Sequence, residues 1–507
     1  MMEKTAFTNR FREGNRMAEE KKNEGLQLNK KTVIGITAVL LAVWILAGVL
    51  TQIVPRGQFT TAMDPETGRE EITSDSVYQP VEDYRMPLWR IIAAPVMVFV
   101  DADTRETGMT GILIVAFIVL MGGTFLLLDR AGVLRYIVAA AIKRFSRKKY
   151  LLLALLVLFF MALASTAGIL EESVTLVPIT VAVSLALGWD SLVGLGMSLI
   201  AVAFGFTAAT FNPFNVMTVQ KLAGDVEIFS GLWLRLVTFV LVYAVLLLFL
   251  LTYARRIEKD PKKSLVYESD AALREKYTAD DPAAVLADKA AGRGAKAFGV
   301  CLLGAFLCII LDFILGMQGT LSMGGIAVFF LIGGLLAGKL SGMKGKELLS
   351  GFGTGIKTIA PALPLIFMVI AVAYILNKGM IMHTILNAVY GLLSKTGPYG
   401  AILIIFLFIA LLEFFIGSGT AKAFLVMPLV IPLAHLMGIS SNTVALTFSM
   451  ADGFTNLLYP TSGIMIIAIG LIGVSYGKWL RFTWKLFAME AVVAAAIMLF
   501  AVWVGYR

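Results

Sequence analysis

The chain is poor in charge and nearly devoid of cysteine and histidine. Only 15% of its 507 residues are Asp, Glu, Lys or Arg, against about 25% in soluble domains. Many apolar runs exceed the roughly 18 residues that mark a membrane helix, which excludes a soluble globular fold. Cys301 and Cys308 lie seven positions apart in one apolar run. That is too far along a helix axis for a disulfide, so packing is their expected role. His383 and His435 have no ligand cluster around them, so neither a metal site nor another cofactor is expected. The net charge of +9 comes with no basic-aromatic patch, so nucleic acid is not an expected partner. Residues 1–30 hold no apolar core, so the first span should act as its own insertion signal rather than as a cleaved leader.

What is present is a series of apolar segments. After a cytoplasmic tail (1–30), the first membrane unit (31–254) holds spans at Thr32–Val54, Gly108–Leu128 and Leu232–Ala254. An acid-rich stretch, 56–107, is expected outside; its apolar part Met86–Val100 suits the interface. Asp129–Tyr150 carries seven Lys or Arg between apolar residues and reads as a cytoplasmic amphipathic helix. A polar linker (255–296) is placed in the cytoplasm. The second unit (297–507) has spans at Ala297–Leu315, Met323–Gly338, Ala360–Asn377 and Leu486–Val504, the last preceded by Lys478, Arg481 and Lys485. Lys378–Thr396 is again amphipathic.

Each unit also contains an apolar block cut by a polar tip. In the first, Thr166-Ala-Gly-Ile-Leu-Glu-Glu-Ser173 divides Leu151–Leu187 into arms of 15 (Leu151–Ser165) and 14 (Val174–Leu187) residues. About 20 residues are needed to cross the hydrocarbon core. Two short arms therefore read as a re-entrant hairpin, tolerated where protein or water surrounds it; an ordinary loop between two full spans is the alternative. In the second, Gly417-Ser-Gly-Thr-Ala-Lys422 cuts Ala401–Leu436. A proline-broken segment follows each block, at Asn212-Pro213-Phe214-Asn215 and at Tyr459-Pro460-Thr461-Ser462-Gly463. Glu171 to Pro213 is 42 positions and Thr420 to Pro460 is 40. The second amphipathic helix holds only Lys378 and Lys395, so the positive-inside rule points the two units in opposite directions. The expected fold is an all-α polytopic membrane protein of inverted repeats, each with a re-entrant hairpin and a Pro-broken helix, and the N-terminus in the cytoplasm. Such repeats mark secondary transporters that bind solute near the midplane.

Gly168-Ile-Leu-Glu-Glu-Ser173, Asn212-Pro-Phe214, Gly417-Ser-Gly-Thr-Ala-Lys-Ala-Phe-Leu-Val-Met-Pro428 and Asp452-Gly-Phe-Thr-Asn-Leu-Leu-Tyr-Pro-Thr-Ser462 resemble the YfcC family, as does Val54-Pro-Arg-Gly-Gln-Phe59. That family belongs with the anaerobic C4-dicarboxylate carriers of the ion transporter superfamily. The resemblance implies a scaffold set of helices beside a hairpin-bearing transport part, a homodimer, and transport of small carboxylates or amino acids. In sodium-coupled relatives each tip carries Ser-Asn-Thr; here the tips read Glu-Glu-Ser and Ser-Gly-Thr.

The expected site joins the two tips and two breaks. Ser173, Ser418, Gly419, Thr420, Thr461 and Ser462 supply hydroxyls and close backbone approach. Asn212, Asn215 and Asn456 supply amides, with helix-helix bonding as the structural alternative. Glu171, Glu172 and Asp452 face one cation, Lys422, and are candidates both for solute binding and for ion coupling. This balance suits an amine-bearing solute better than a dicarboxylate. Lys422 pairing with an acid is the structural alternative; Asp312 reads as scaffold, and Glu413 is open between site and scaffold. Gly333-Gly-Leu-Leu-Ala-Gly-Lys339 imitates a phosphate loop but continues with Leu340, so close helix contact explains it. The reading is a secondary active transporter or exchanger of a small amino acid or related amine-bearing carboxylate in the bacterial inner (plasma) membrane. The alternatives are a C4-dicarboxylate or other organic-anion carrier of the same fold, and a membrane-embedded sensor or enzyme, which the absence of a catalytic constellation disfavours.

Overall fold

An apolar chain in hydrocarbon must satisfy its backbone polar groups internally, and helices do so segment by segment. The computed structural model describes residues 30–60, 62–63, 70–71, 77–81, 84–101, 105–227, 229–278, 281–315, 320–393 and 395–507. The first half contains helices α1 (Lys30–Ile53), α2 (Leu88–Val100), α3 (Arg105–Arg130), α4 (Val133–Phe145), α5 (Lys149–Ala167), α6 (Val177–Ala186), α7 (Ser191–Thr207), α8 (Val216–Ala223) and α9 (Leu232–Lys259). The second contains α12 (Lys289–Leu315), α13 (Thr320–Leu340), α14 (Gly345–Ile359), α15 (Leu363–Lys378), α16 (Met382–Leu393), α17 (Pro398–Leu412), α18 (Gly419–Leu436), α19 (Ser441–Thr455), α20 (Gly463–Ile472) and α21 (Tyr476–Trp503). Between the halves lie α10 (Ala271–Thr278) and α11 (Pro282–Ala287). Among the described residues, five helices are long and apolar enough to cross a membrane: Val133–Ala167, Leu232–Lys259, Lys289–Asp312, Gly419–Leu436 and Tyr476–Trp503.

The helices pack as two sets, and both halves of the chain contribute to each. In one, α3 packs on α13 and α14, α13 on α12, and α15 on α1 and α2. In the other, α7 packs on α5, α6 and α19, while α19 packs on α8, α17, α18 and α21. The arms of each tip are thus laid against a broken helix. Every residue of α7 and α19 is buried, including the polar Ser441, Asn442, Thr443, Thr447, Ser449, Asp452 and Thr455 of α19. Their approach is very close: a Cβ on Gly453 would stand 2.0 Å from the Thr207 amide nitrogen. Within the glycine run of α13, a Cβ on Gly334 would meet the Thr124 side chain at 2.5 Å and one on Gly333 would meet Cys301 at 2.9 Å. Close helix contact is the use of that run.

Short antiparallel strands pair β1 (Gly57–Phe59) with β4 (Tyr78–Pro80), and β2 (Ala62–Met63) with β3 (Glu70–Glu71). The first pair is fastened to α16, since the Phe59 amide donates to His383 Nδ1 at 2.9 Å and Tyr78 shares a 2.9 Å bond with Thr384. That gives His383 a structural role.

Two expectations are corrected. The stretch 255–296 is not a plain linker. α9 runs on to Lys259, α10 and α11 follow, and the segment docks on the membrane set. Buried Asp270 accepts from the Ser191 amide at 2.7 Å and from its hydroxyl at 2.8 Å, while Ser264 donates to Asp190 at 2.7 Å. Burial, helped by the negative charge of Asp190, pushes the Asp270 carboxyl up to about 6. The polar composition concealed this docking because Asp270 satisfies a helix start on another segment. The second correction concerns the final helix. It begins at Tyr476, so Lys478, Arg481 and Lys485 lie inside it rather than before it. Long basic side chains can rest their stems on apolar surface and reach water with their heads.

Candidate functional site

The first break follows from Pro213, which cannot donate to a helix ladder and clashes with the turn before it. The freed backbone groups find partners on the first tip and on α9. Ser165 Oγ donates to the Ala208 carbonyl at 2.7 Å and accepts from the Thr210 amide at 3.0 Å. Asn212 donates to the Ala164 carbonyl at 2.9 Å and accepts from the Phe214 amide at 2.8 Å. Asn215 donates to the Phe206 carbonyl at 3.2 Å and accepts from the Val216 amide at 2.5 Å. Both asparagines therefore brace the break through main-chain groups, as the structural alternative has it. Arg235, buried near the start of α9, donates to the carbonyls of Thr210 at 2.5 Å and Ser230 at 2.7 Å. The sequence reading passed over it, although an arginine inside an apolar span is itself a signal.

The first tip turns at Gly168, whose φ of 73° suits glycine. A Cβ there would stand 2.4 Å from the Phe214 ring. A tight helical turn, Glu171–Thr175, follows. Glu172 is buried and accepts from the Leu170 amide at 3.2 Å. Ser173 donates to the Leu170 carbonyl at 2.6 Å. The Glu171 side chain lies outside the described residues.

At the second tip, Ser418 caps α18 by accepting from the Ala421 amide at 3.3 Å, and it is exposed along with Gly417. Thr420 donates to the Phe214 carbonyl at 3.1 Å, which joins this tip to the first break. In the second break Asn456 donates back to the Asp452 carbonyl at 2.7 Å, and Ser462 caps α20 by accepting from the Met465 amide at 3.4 Å. Thr461 Oγ1 is buried without a hydrogen-bond partner among the described residues. The first tip packs on α20. The two tips and two breaks thus meet.

Their electrostatic centre is a triad. Lys422, 0% exposed, holds Asp452 Oδ1 at 2.7 Å and also contacts Glu413 Oε2. Gly419 makes room for it: a Cβ there would lie 2.9 Å from Asp452 Oδ2. A buried ammonium with two carboxylates has a formal charge of minus one when all three are ionised. The open question over Glu413 is answered by its place in this triad. Asp452, expected to face a solute, faces Lys422. Asp312 accepts from the Leu321 amide at 2.8 Å beside the start of α13. Glu490, in the final helix, is a further buried acid that the sequence reading missed; a lone acid in an apolar span was the available signal.

The model of the family described as C4-dicarboxylate anaerobic carrier (DcuC) matches residues 35–503. The chain is 29% identical over 412 residues to the Escherichia coli K12 protein named "Putative basic amino acid antiporter YfcC", covering 78% of this chain and 79% of that one. It is 24% identical over 437 residues to an uncharacterized Haemophilus influenzae protein, covering 85% and 81%. Among solved structures it is similar to the YdaH transporter of Alcanivorax borkumensis (16% identity, 94% of this chain and 99% of that one, TM-score 0.40) and to the efflux pump MtrF of Neisseria gonorrhoeae (14%, 92% and 94%, TM-score 0.40). At those scores neither bears on substrate or mechanism. With nearly all of its length matched by the family model, the chain belongs to the C4-dicarboxylate anaerobic carrier family and is a multi-pass membrane transporter of small solutes.

Proposed function

We propose that this transporter carries a small amino acid or related amine-bearing carboxylate, by exchange or by proton coupling, across the bacterial inner membrane. The observation that carries the reading is the engagement of Lys422. The buried cations are engaged, Lys422 by Glu413 and Asp452 and Arg235 by the carbonyls of Thr210 and Ser230, while Glu172 at the first tip adds another buried acid. Acids outnumber cations where the tips and breaks meet, and an α-amino or guanidinium group complements that excess. The capped starts of α18 and α20, at Ser418 and Ser462, offer backbone N–H groups to the carboxylate of the same solute. The name of the Escherichia coli relative is consistent with a cationic solute; the family description favours a C4-dicarboxylate.

Uptake and counterflow in proteoliposomes, with labelled lysine, arginine, neutral amino acids and succinate, decide between them. Saturable exchange of an amine-bearing solute is expected. Preference for succinate would overturn the reading. Glu172→Gln keeps an acceptor for the Leu170 amide, so the fold should persist. Loss of a charge-assisted bond of about 1.5–3 kcal/mol should then weaken binding roughly ten- to hundredfold.

A further inference from the structure

The final helix carries an acid that the site above does not use. Glu490 lies near the middle of α21, fourteen positions after Tyr476 and thirteen before Trp503. It is 0% exposed, and neither carboxylate oxygen has a hydrogen-bond partner among the described residues. One turn earlier, the Phe487 ring lies 6.4 Å from that of Phe204 on α7 and 5.8 Å from that of Phe454 on α19. This face of α21 therefore meets the two broken helices close behind their breaks, and Phe454 is two residues beyond Asp452.

The charged and titratable groups on the surrounding elements have other engagements. On α9, Arg235 donates to the carbonyls of Thr210 and Ser230, Tyr243 to that of Ala154 at 3.1 Å, and Tyr253 to Asp190 at 2.7 Å. Arg255, Arg256, Glu258 and Lys259 lie at its far end. On α19, Asp452 holds Lys422. Tyr399 lies at the start of α17, and α7 and α20 carry no titratable side chain. On α1, Lys30 and Lys31 lie at the start, and the rest of that helix has none. On α21 itself, Lys478, Arg481 and Lys485 precede Glu490 by one turn or more.

We propose that Glu490 is a proton site of the transport cycle. It stands between the helices as a neutral carboxylic acid, and it releases and regains its proton as α7 and α19 rearrange beside it. An ionised carboxylate without partners is the most costly state in such surroundings. The acid therefore keeps its proton while the interface is dry and can lose it when movement of a broken helix admits water. Protonation then depends on conformation, and by linkage conformation depends on protonation. The same property would tie solute movement to the proton gradient. The proposal rests on the transport reading but not on any one substrate.

Infrared difference spectroscopy of the full chain in liposomes tests it without a solute. A carbonyl band of a protonated carboxyl group is expected in the wild type, titrating away as the pH rises and missing from Glu490→Gln. A band untouched by the substitution, or one that does not titrate, would overturn the proposal. In proteoliposomes with a trapped pH dye, labelled lysine, arginine and succinate serve as probes. Wild type should move protons with whichever probe it carries. Glu490→Gln should still exchange labelled for unlabelled probe while moving no protons, and Glu490→Asp should restore the proton movement. Proton movement undiminished in Glu490→Gln would overturn the proposal. Should Glu490→Gln not fold, Glu490→Asp decides: a shifted pH dependence supports the site, an unshifted one removes it. Failure of every probe to enter wild-type vesicles would count against the proposed substrate class, while the infrared result still decides the proton site.

Discussion

Lys422 binds two acids from different elements, Glu413 at the end of α17 and Asp452 in α19, so its removal strands two buried carboxylates. Breaking a buried ion pair from one side costs about 3–5 kcal/mol. Lys422→Met should therefore lower the melting temperature sharply in detergent. Adding Glu413→Gln and Asp452→Asn should recover most of the loss, because the charge left behind rather than the missing contact sets the cost. A triple variant no more stable than Lys422→Met would show that the triad matters for its shape and not its charge. The same reasoning assigns Asn212 and Asn215 to backbone satisfaction: each offers its donor and its acceptor to main-chain groups that Pro213 leaves exposed.

Between elements, the closest approach is that of α7 and α19 at Gly453. Any side chain there would press on the Thr207 backbone, which cannot yield without parting two fully buried helices. Gly453→Ala should cost at least the 1–3 kcal/mol typical of overpacking, read as a lower melting temperature and a broader size-exclusion peak. Gly299→Ala, where nothing lies within 4 Å of the added methyl, should stay within about 0.5 kcal/mol of wild type. The docked segment around α10 supplies a pH-dependent case. Its Asp270 ionises at about 6 when docked and near 3.8 when free, with Asp190 and Arg274 the charged groups acting on it. The docked state thus holds its proton through that window. Docking is strongest below about 3.8 and weakens as the pH rises through about 6, by a few kcal/mol at most. Hydrogen-exchange protection in 261–278, taken relative to the intrinsic exchange rate at each pH, should be lower at neutral than at mildly acidic pH, and Asp270→Asn should flatten the difference. A slope of the opposite sign would contradict the burial argument.

At the scale of the whole molecule, the positive-inside rule predicts that the basic residues of α4 and of the 255–296 segment face the cytoplasm and that the strand-bearing segment before α2 lies outside. In a background with Cys301 and Cys308 replaced, an impermeant maleimide should label Val77→Cys in intact cells. It should reach Lys262→Cys only after permeabilisation; both native residues are exposed. The reverse pattern would invert the orientation and with it the sense of transport.

The sequence by itself determined the elements and their order. Low charge and long apolar runs require helices, because a bilayer offers the backbone no other partners. Pro213 and the Tyr459–Gly463 stretch announce the breaks, and the two glycine-bearing polar tips announce the turns, since each effect is local to the residues that cause it. Glu172, Lys422 and Asp452 could be singled out because a charge in hydrocarbon is costly wherever the chain places it. Tertiary structure alone decided which groups meet. Lys422 lies nine positions from Glu413 and thirty from Asp452, and nothing in those intervals says that it holds both. Asp270 docks on a helix start 79 positions away, and Glu490, in the middle of the last helix, has no hydrogen-bond partner among the described residues. The reason is physical: burial cost is a property of one residue and its neighbours along the chain, whereas compensation of that cost comes from whichever helix is packed alongside.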